Sequence, residues 1–370
     1  MSGYNDANAR APFHPLDPFN WTLNTSLENI PRYLFRVSDP NSSGMTTQTE
    51  AVSPAALKSS KQETDLYQME RKKAADLLND HLQWQCADQK QEYPCNLLSW
   101  TSSPLAAFQY CLFRHKALGQ QQKLSDIKIL MVDTAQFDRG SHVFARDLQV
   151  LEYFHRFHKS SDGYSLESLY NIRAKGTFYL GEYLSQGRLA LDPEKSCQVS
   201  MEELIARGLF NVHPGLGDEA FWNGWPTRVN MLRNKMGSNL PQITIGQVQA
   251  AIDVGKGFKK FELEAAFMIL GISPYDLRGS SSTILQVLQQ NYSMQKIQSN
   301  AFSANLMFDM DSGRLLEVQR WQELHDYIRG KPAINISEMQ QRAEQADVEE
   351  GVGDLAARFT NLWARTEASA

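Results

Sequence analysis

Short apolar runs bounded by turn-forming residues recur along the first 235 residues, a pattern that is typical of strands. "IPRYLFRVSDPNSSG" becomes polar at Asp-Pro, and in "DIKILMVDT" only Lys128 interrupts the apolar stretch. "NLLSW" is a further short run, followed by Thr and Ser. "GTFYLGEYLSQGRLAL" predicts a strand pair or a bent strand around Gly181.

Between these runs, apolar residues recur at the three- and four-residue spacing of amphipathic helices. The segments with this spacing are "ETDLYQMERKKAADLLNDHLQW", "SSPLAAFQYCLFRHK", "RDLQVLEYFHRF" and "SMEELIARGLF". Ser102 or Ser103 suits the N-cap of the second segment, and Pro104 suits its first turn. We therefore predict an α+β domain over residues 28–235.

The pattern changes at both ends of this domain. Residues 1–27 are polar and interrupted by prolines, which predicts a flexible N-terminal arm. Residues 240–370 predict a mainly helical C-terminal region, with short helices in "TIGQVQAAI", "FELEAAFMILGI", "SSTILQVLQQ" and "VGDLAARFTNLW". Within that region, "NLMFDMDSGRLLEVQRW" predicts a hairpin that turns at Asp311, Ser312 and Gly313.

Composition narrows the function classes. The 370 residues correspond to about two domains, and a hydrophobic content of 42% is enough to bury a core. The net charge of −5 excludes a generally basic DNA-binding protein but leaves room for local basic patches. The four cysteines lack the spacing of a zinc site, so we expect no metal. Because the chain shows neither a signal peptide nor an 18-residue apolar run, we expect a cytoplasmic protein without a membrane partner.

Three polar groups lie where predicted strands end. They are Arg36, the Ser99, Thr101 and Ser102 cluster, and Glu182. A guanidinium binds phosphate through paired hydrogen bonds, and hydroxyls before a helix add anion or ribose contacts. A glutamate in an apolar strand can bond a ribose hydroxyl or stabilise a developing cation. Each group also has a structural interpretation: an edge-strand charge, a helix cap, and an acid satisfied within a hairpin.

The order Arg36, then the Ser/Thr run, then Glu182 resembles the R-S-E pattern of ADP-ribosyltransferase-like folds. In that family the arginine lies on the first strand, the Ser/Thr run on the second and the glutamate on a later strand. The resemblance implies an ADP-ribosyltransferase-like mixed β core with packed helices, and NAD as the substrate. The run here reads Trp100-Thr101-Ser102 where Ser-Thr-Ser is usual, and Leu180 stands where arginine-modifying members carry a second acid.

A second resemblance covers more of the chain. "LFRVSDP", "LLSWTSSPLAAFQYCLFRHK", "RDLQVLEYF" and "FYLGEYLSQGRL" resemble an uncharacterised domain family of filamentous fungi, often met in secondary-metabolite gene clusters. The fungal arginine-containing cyclodipeptide synthases look similar to that family. The resemblance implies an enzyme that condenses arginine with a second amino acid into a diketopiperazine. Its partners would be two aminoacyl-tRNAs, arginyl-tRNA and a second one, and it would need no cofactor.

Three functions therefore remain open. They are the tRNA-dependent cyclodipeptide synthase, an NAD-dependent ADP-ribosyltransferase or NAD glycohydrolase, and a non-enzymatic binding module with the same fold. The sequence indicates no Ser-His-Asp or Cys-His constellation. Glu182 and Glu152 are acids in apolar segments that could pair with an arginyl guanidinium.

The candidate residues form three groups. Glu182 and Arg36 are the candidate catalytic residues. The candidate substrate-binding residues are Ser99, Thr101, Ser102, Glu152 and Tyr183. The candidate tRNA-phosphate contacts are Arg114, Lys116, Lys123, Arg228, Arg233, Lys256, Lys259 and Lys260, which could equally be ordinary solvated charges.

Overall fold

A computed structural model describes residues 12–16, 20–58, 64–83, 94–116, 122–137, 140–158, 165–175, 178–237, 239–297 and 314–330. Its strands are β1 (Tyr33–Ser38), β2 (Met45–Thr46), β3 (Glu50–Val52), β4 (Leu97–Thr101), β5 (Lys128–Asp133), β6 (Ala145–Arg146), β7 (Glu182–Gln186), β8 (Arg188–Ala190) and β9 (Ser196–Ser200). The helices of the first half are α1 (Trp21–Ser26), α2 (Pro54–Lys58), α3 (Arg71–Leu82), α4 (Pro104–Lys116), α5 (Asp147–Phe154) and α6 (Leu166–Ala174). Those of the second half are α7 (Met201–Ala206), α8 (Leu209–Val212), α9 (Thr227–Asn234), α10 (Ile245–Lys256), α11 (Glu262–Gly271), α12 (Ser281–Asn291) and α13 (Leu316–Ile328).

The main sheet has six strands in the order β6-β7-β4-β1-β5-β9, and a smaller sheet has the order β2-β3-β8. Neighbouring strands in the main sheet are antiparallel. β1 is central and pairs with β5 along its whole length, from Tyr33 opposite Asp133 to Ser38 opposite Lys128. Its long apolar run is explained by this position, because a central strand is covered on both faces.

The two faces of β1 pack against different layers. Tyr33 and Phe35 point into the largest apolar cluster, which also contains side chains of α4, α10, α11 and α13. Leu34 points the other way, into a cluster with Trp100 and Tyr183. A third cluster joins α1, α3, α5 and α6 to strands β4, β7 and β6, the last of which forms the edge of the sheet. The structure thus confirms the predicted α+β class, with helices packed on an antiparallel sheet.

The start of α4 follows the predicted local rules. The Ser103 hydroxyl accepts a hydrogen bond from the Ala106 amide at 3.0 Å, and Pro104 occupies the first helical position. Such a cap satisfies one of the amide groups that a helix start leaves free. The strand–turn–helix unit of residues 97–116 is therefore where the sequence placed it.

Three local predictions need correction. The described part of the N-terminal arm, predicted as flexible, packs on the domain: Phe13 is fully buried, and helix α1 is capped by Asn20. In the Gly181 segment, Gly181 precedes β7, whereas the bend between β7 and β8 lies at Gly187. The predicted C-terminal hairpin has its turn outside the described residues, and its second half is helix α13.

The described part of residues 240–370 is mainly helices and turns, including α10 to α13, with one isolated β-bridge between Gln242 and Asp276. The helix predicted in "VGDLAARFTNLW" lies outside the described residues. Among the described helices, none is both long and apolar enough to cross a membrane.

Candidate functional site

A cavity of about 230 Å³ lies where β1 and β4 separate. Within the described chain, these strands are paired only where Phe35 lies opposite Thr101. Beyond that pair, Arg36 of β1 and Ser99 of β4 line the cavity rather than continuing the ladder. The order of the strands also brings Glu182 into the cavity wall, because β7 is the other neighbour of β4.

Arg36 is a buried cation in this wall, with 9% of its surface exposed. Its Nε donates to Thr46 Oγ1 at 3.0 Å and its Nη1 donates to the Ser99 carbonyl oxygen at 2.9 Å. No carboxylate of the described residues forms an ion pair with it. Burial lowers the pKa of Arg36 to about 10, so the group stays protonated at neutral pH. A buried guanidinium that has no ion-paired carboxylate among the described residues favours an anionic ligand at the cavity wall.

Ser99 and Glu182 form the opposite side of the cavity. The Ser99 hydroxyl donates to Glu182 Oε1 at 2.6 Å, and His81 Nε2 lies 2.9 Å from the same hydroxyl oxygen. His81 reaches it from the last turn of α3 and also lines the cavity. Its Nδ1 lies 3.2 Å from Cys95 Sγ. A carboxylate, a hydroxyl and an imidazole thus form one hydrogen-bonded chain, which suits proton transfer or the binding of sugar hydroxyls.

Glu182 is held from behind by Arg173 of α6. Arg173 Nη1 lies 2.6 Å from Glu182 Oε2, and the same guanidinium also pairs with Asp147 at the start of α5. Burial lowers the pKa of Arg173, but the Glu182 and Asp147 carboxylates outweigh that effect and raise it above the ordinary value. The fixed positive charge of Arg173 orients one oxygen of Glu182, while Ser99 orients the other.

The backbone before Glu182 is fixed as well. Gly181 has a φ of +64°, and the Thr101 hydroxyl donates to the Leu180 carbonyl oxygen at 2.5 Å. A Cβ at position 181 would lie 2.1 Å from Ser102 Oγ, so a side chain does not fit there. Glycine is therefore needed at this position for two reasons: the backbone is left-handed, and it passes too close to Ser102 for a side chain to fit.

The cavity continues towards aromatic side chains on the α4 side. The Tyr110 and Trp225 rings have centroids 4.9 Å apart, and both residues line the cavity. Arg114 lines it too, but its guanidinium is engaged by both oxygens of Asp39, at 2.6 and 2.8 Å. This bidentate pair ties the loop after β1 to α4. The cavity thus joins a cationic wall, a polar wall and an apolar aromatic end.

The predicted catalytic and substrate-binding residues are partly brought together. Arg36, Ser99, Thr101 and Glu182 all line the cavity. Ser102 does not line it but is buried beneath, where its hydroxyl donates to the Gly181 carbonyl oxygen.

Two further candidates lie elsewhere. Tyr183 is fully buried in the apolar cluster with Leu34 and Trp100, and it does not line the cavity. Glu152, predicted as an acid inside an apolar segment, lies exposed on α5.

The residues predicted to contact tRNA phosphates fall into two groups, buried arginines and exposed lysines. Arg233 is buried, with its Nη2 lying 2.8 Å from Glu317 Oε1, and Arg228 is buried with its guanidinium on the Gly215 carbonyl oxygen at 2.7 Å. Together with the paired Arg114, these two arginines are internal contacts and not surface cations, which corrects the prediction. The lysines are exposed, namely Lys116, Lys123, Lys256, Lys259 and Lys260.

Sequence reasoning missed His81, Arg173 and Trp225. His81 is one of several polar residues in a charged amphipathic helix, and it lies 18 positions before Ser99, so no local spacing marks it. Arg173 reads as an ordinary C-terminal helix cation. The tertiary arrangement alone brings His81 to the cavity and Arg173 to Glu182. Among the residues that the structure describes, no group of three or more His, Cys, Asp or Glu side chains could hold a metal ion.

Comparison with known families gives one match. Residues 29–189 match the model of a Domain of unknown function (DUF7587). No curated protein and no solved structure matches the chain. The matched segment contains Arg36, His81, Ser99 and Glu182, whereas Trp225 at the aromatic end of the cavity follows it.

Proposed function

We propose that the cavity binds NAD and that the chain catalyses cleavage of the bond between nicotinamide and ribose. The observation that carries the proposal is the buried, carboxylate-free guanidinium of Arg36 in the same cavity as the Ser99–Glu182 pair. Arg36 lies on the first strand of the main sheet, Ser99 on the second in chain order, and Glu182 on a later one. This is the strand order that the R-S-E resemblance implies.

The charges of the cavity suit the parts of NAD. The guanidinium of Arg36 would bind the diphosphate, whose negative charge offsets the buried cation. The Ser99 and Glu182 oxygens would accept hydrogen bonds from the ribose hydroxyls. The planar nicotinamide ring would lie towards Tyr110 and Trp225, because aromatic rings stack favourably with each other.

The reaction follows from these placements. When the glycosidic bond breaks, its two electrons go to the nicotinamide nitrogen, whose positive charge is thereby neutralised, and positive charge develops at ribose C1′. The Glu182 carboxylate stabilises that charge, and Arg173 keeps the carboxylate in place. A nucleophile then bonds to C1′ and loses its proton to solvent. Because Leu180 stands where arginine-modifying ADP-ribosyltransferases carry a second acid, water or a non-arginine acceptor is the favoured nucleophile.

The test is to incubate the purified chain with NAD and to measure the released nicotinamide by chromatography. Glu182→Gln keeps the side-chain shape and removes the charge, so we expect turnover to fall by about 10²-fold or more. Glu167→Gln, an exposed acid on α6, is the matched control and should turn over like the wild type. A chain that neither binds nor consumes NAD refutes the proposal, and binding without turnover supports the non-enzymatic binding module instead.

A second candidate is the tRNA-dependent cyclodipeptide synthase, and the 2.6 Å contact between Ser99 Oγ and Glu182 Oε1 favours it. A serine next to a proton acceptor is a candidate nucleophile for acyl transfer. Ser99 would attack the ester carbonyl of arginyl-tRNA, pass its proton to Glu182 and release the tRNA hydroxyl. The amine of a second aminoacyl-tRNA would then displace Ser99, and ring closure would release the second tRNA. The exposed lysines would contact tRNA phosphates.

Expression in a heterologous host, followed by mass spectrometry, tests this candidate. An arginine-containing cyclic dipeptide that disappears in Ser99→Ala supports it. Intact-protein mass spectrometry after incubation with arginyl-tRNA should then also show an arginyl adduct on the wild type. Neither product nor adduct, in an extract with charged tRNA, would leave the NAD reaction as the surviving enzyme hypothesis.

A further inference from the structure

We propose that His81 is a positioning residue of this site, acting as a hydrogen-bond donor that fixes the Ser99 hydroxyl against Glu182. The effect on turnover rests on the proposed NAD reaction, whereas the hydrogen-bond arrangement itself does not. His81 lies in the last turn of α3 and reaches the wall of the cavity through Ser99.

The direction of each hydrogen bond follows from counting protons. A serine hydroxyl has one hydrogen, and an ionised carboxylate only accepts. The Glu182 carboxylate pairs with the Arg173 guanidinium, so the 2.6 Å contact uses the Ser99 hydrogen. The Ser99 oxygen must then accept from His81 Nε2 across 2.9 Å.

The other side of the imidazole is consistent with this direction. A neutral imidazole with hydrogen on Nε2 has a bare Nδ1 that accepts. Nδ1 lies 3.2 Å from Sγ of the buried Cys95, a weak donor with another acceptor in the Leu97 carbonyl oxygen at 4.0 Å. The donated hydrogens therefore run in one direction, from His81 through Ser99 to Glu182.

This direction decides what His81 can do. A histidine that already donates to the serine is not placed to take the serine proton, so it does not act as a general base in this arrangement. It adds a second hydrogen bond to the Ser99 hydroxyl, which already donates to Glu182, and thereby helps to keep Oε1 of Glu182 in one position. Holding a reacting group within a fraction of an ångström is worth a large factor in rate.

The first test needs no substrate. Nitrogen-15 NMR of the histidine rings, assigned with His81→Gln, reports which ring nitrogen carries the hydrogen. We expect His81 to be the Nε2-protonated tautomer near neutral pH, and Ser99→Ala to weaken that preference. A His81 ring protonated on Nδ1, or unaffected by Ser99→Ala, overturns the proposal whether or not the chain consumes NAD.

The second test compares two replacements of His81. The amide nitrogen of Gln lies near the place of Nε2 and donates, whereas Met has similar length and no donor. We expect His81→Gln to keep kcat for NAD cleavage within about 3-fold, and His81→Met to lower kcat by about 10- to 100-fold with KM little changed. If kcat falls equally in both variants, His81 acts in proton transfer and the proposal is overturned. If kcat is retained in both, His81 has no role in turnover.

The two proposals fail in different ways. If the wild type does not consume NAD, the proposed function is wrong, and the tautomer of His81 still decides the hydrogen-bond direction. If the wild type consumes NAD and both variants match it, the proposed function stands and the role of His81 is refuted. Circular dichroism of both variants confirms that they fold.

Discussion

Arg36 and Arg233 are both buried arginines, yet their surroundings differ. Arg233 is neutralised by Glu317, whose pKa is raised by burial but lowered further by Arg233, so the net shift is downward. Arg36 donates only to a threonine hydroxyl and a carbonyl oxygen among the described residues, and its pKa is depressed by burial. Burying a charge without an opposite charge opposes folding, so we infer that Arg36 is placed for a ligand and Arg233 for the fold.

This contrast gives a matched pair of variants. We expect Arg36→Met to leave the free energy of unfolding unchanged or to raise it by up to about 1 kcal/mol, because a desolvated charge is removed. NAD binding should weaken at least about 10-fold.

Arg233→Met should lower the free energy of unfolding by about 3–5 kcal/mol, because Glu317 would remain buried and without its ion-pair partner. Urea unfolding and calorimetric titration measure both quantities, and a strong loss of stability in Arg36→Met would make Arg36 a structural residue.

At the scale of elements, the start of β7 is the most constrained point of the site. Gly181 combines a φ of +64° with a Cβ position 2.1 Å from Ser102 Oγ and 2.9 Å from Leu315 Cδ1. Gly181→Ala should therefore displace β7, lower stability by about 2–4 kcal/mol and reduce turnover, because Glu182 follows directly. Gly140→Ala is the control: Gly140 has a φ of +83° but nothing within 4 Å, so it isolates the backbone strain of about 1 kcal/mol. Equal losses in the two variants would contradict the close-approach argument.

The same scale shows what the sequence could predict. β5, α4 and α5 follow from local apolar patterns and caps, and the sequence placed them correctly. Helix α13 was predicted as the second strand of a hairpin. Its buried face carries two charged residues: Glu317, which pairs with Arg233, and Arg320, whose guanidinium donates to backbone carbonyl oxygens. Charged residues on the buried face obscure the apolar spacing that would predict a helix. Buried charges paired across long sequence distances leave no local signal.

The residues of the candidate site also differ in whether the sequence could predict them. Arg36 and Glu182 could be predicted because each is a charge in an apolar strand, and such charges are unusual enough to be noticed. His81 could not, since a histidine in a polar helix is ordinary. Ser99 contacts both Glu182 and His81, and this orientation depends on the register of β4 with β7, in which Thr101 lies opposite Glu182. That register is a property of the sheet and not of any one segment.

For the whole molecule, the support of the site extends beyond the segment that matches the domain family, residues 29–189. Arg233 of α9 donates to the Tyr179 carbonyl oxygen at 2.7 Å, and Glu317 of α13 accepts from the Ser103 hydroxyl. These contacts brace the backbone before β7 and the cap of α4. The helices of the second half therefore stabilise the segments that carry Glu182.

Two buried histidines in that second half make the stability of the whole chain depend on pH. His213 and His325 are fully buried; burial lowers the pKa of His213 to about 4, and burial together with Arg329 lowers the pKa of His325 to about 3. An unfolded histidine titrates near 6.5, so between about pH 6.5 and pH 4 the unfolded chain binds more protons than the folded one. Stability must then fall as the pH falls through this window, by up to about 2.7 kcal/mol per pH unit for both groups together.

Urea unfolding between about pH 7 and pH 4.5 measures this slope. His213→Leu removes one titrating group at a buried position, so we expect the slope to drop by about half, even if the stability at pH 7 changes. His155→Gln, at a half-buried histidine stacked on Tyr170, is the control and should leave most of the slope in place. If His213→Leu keeps the wild-type slope, acid sensitivity arises from other groups. If the slope vanishes, His213 alone links the fold of the second half to pH.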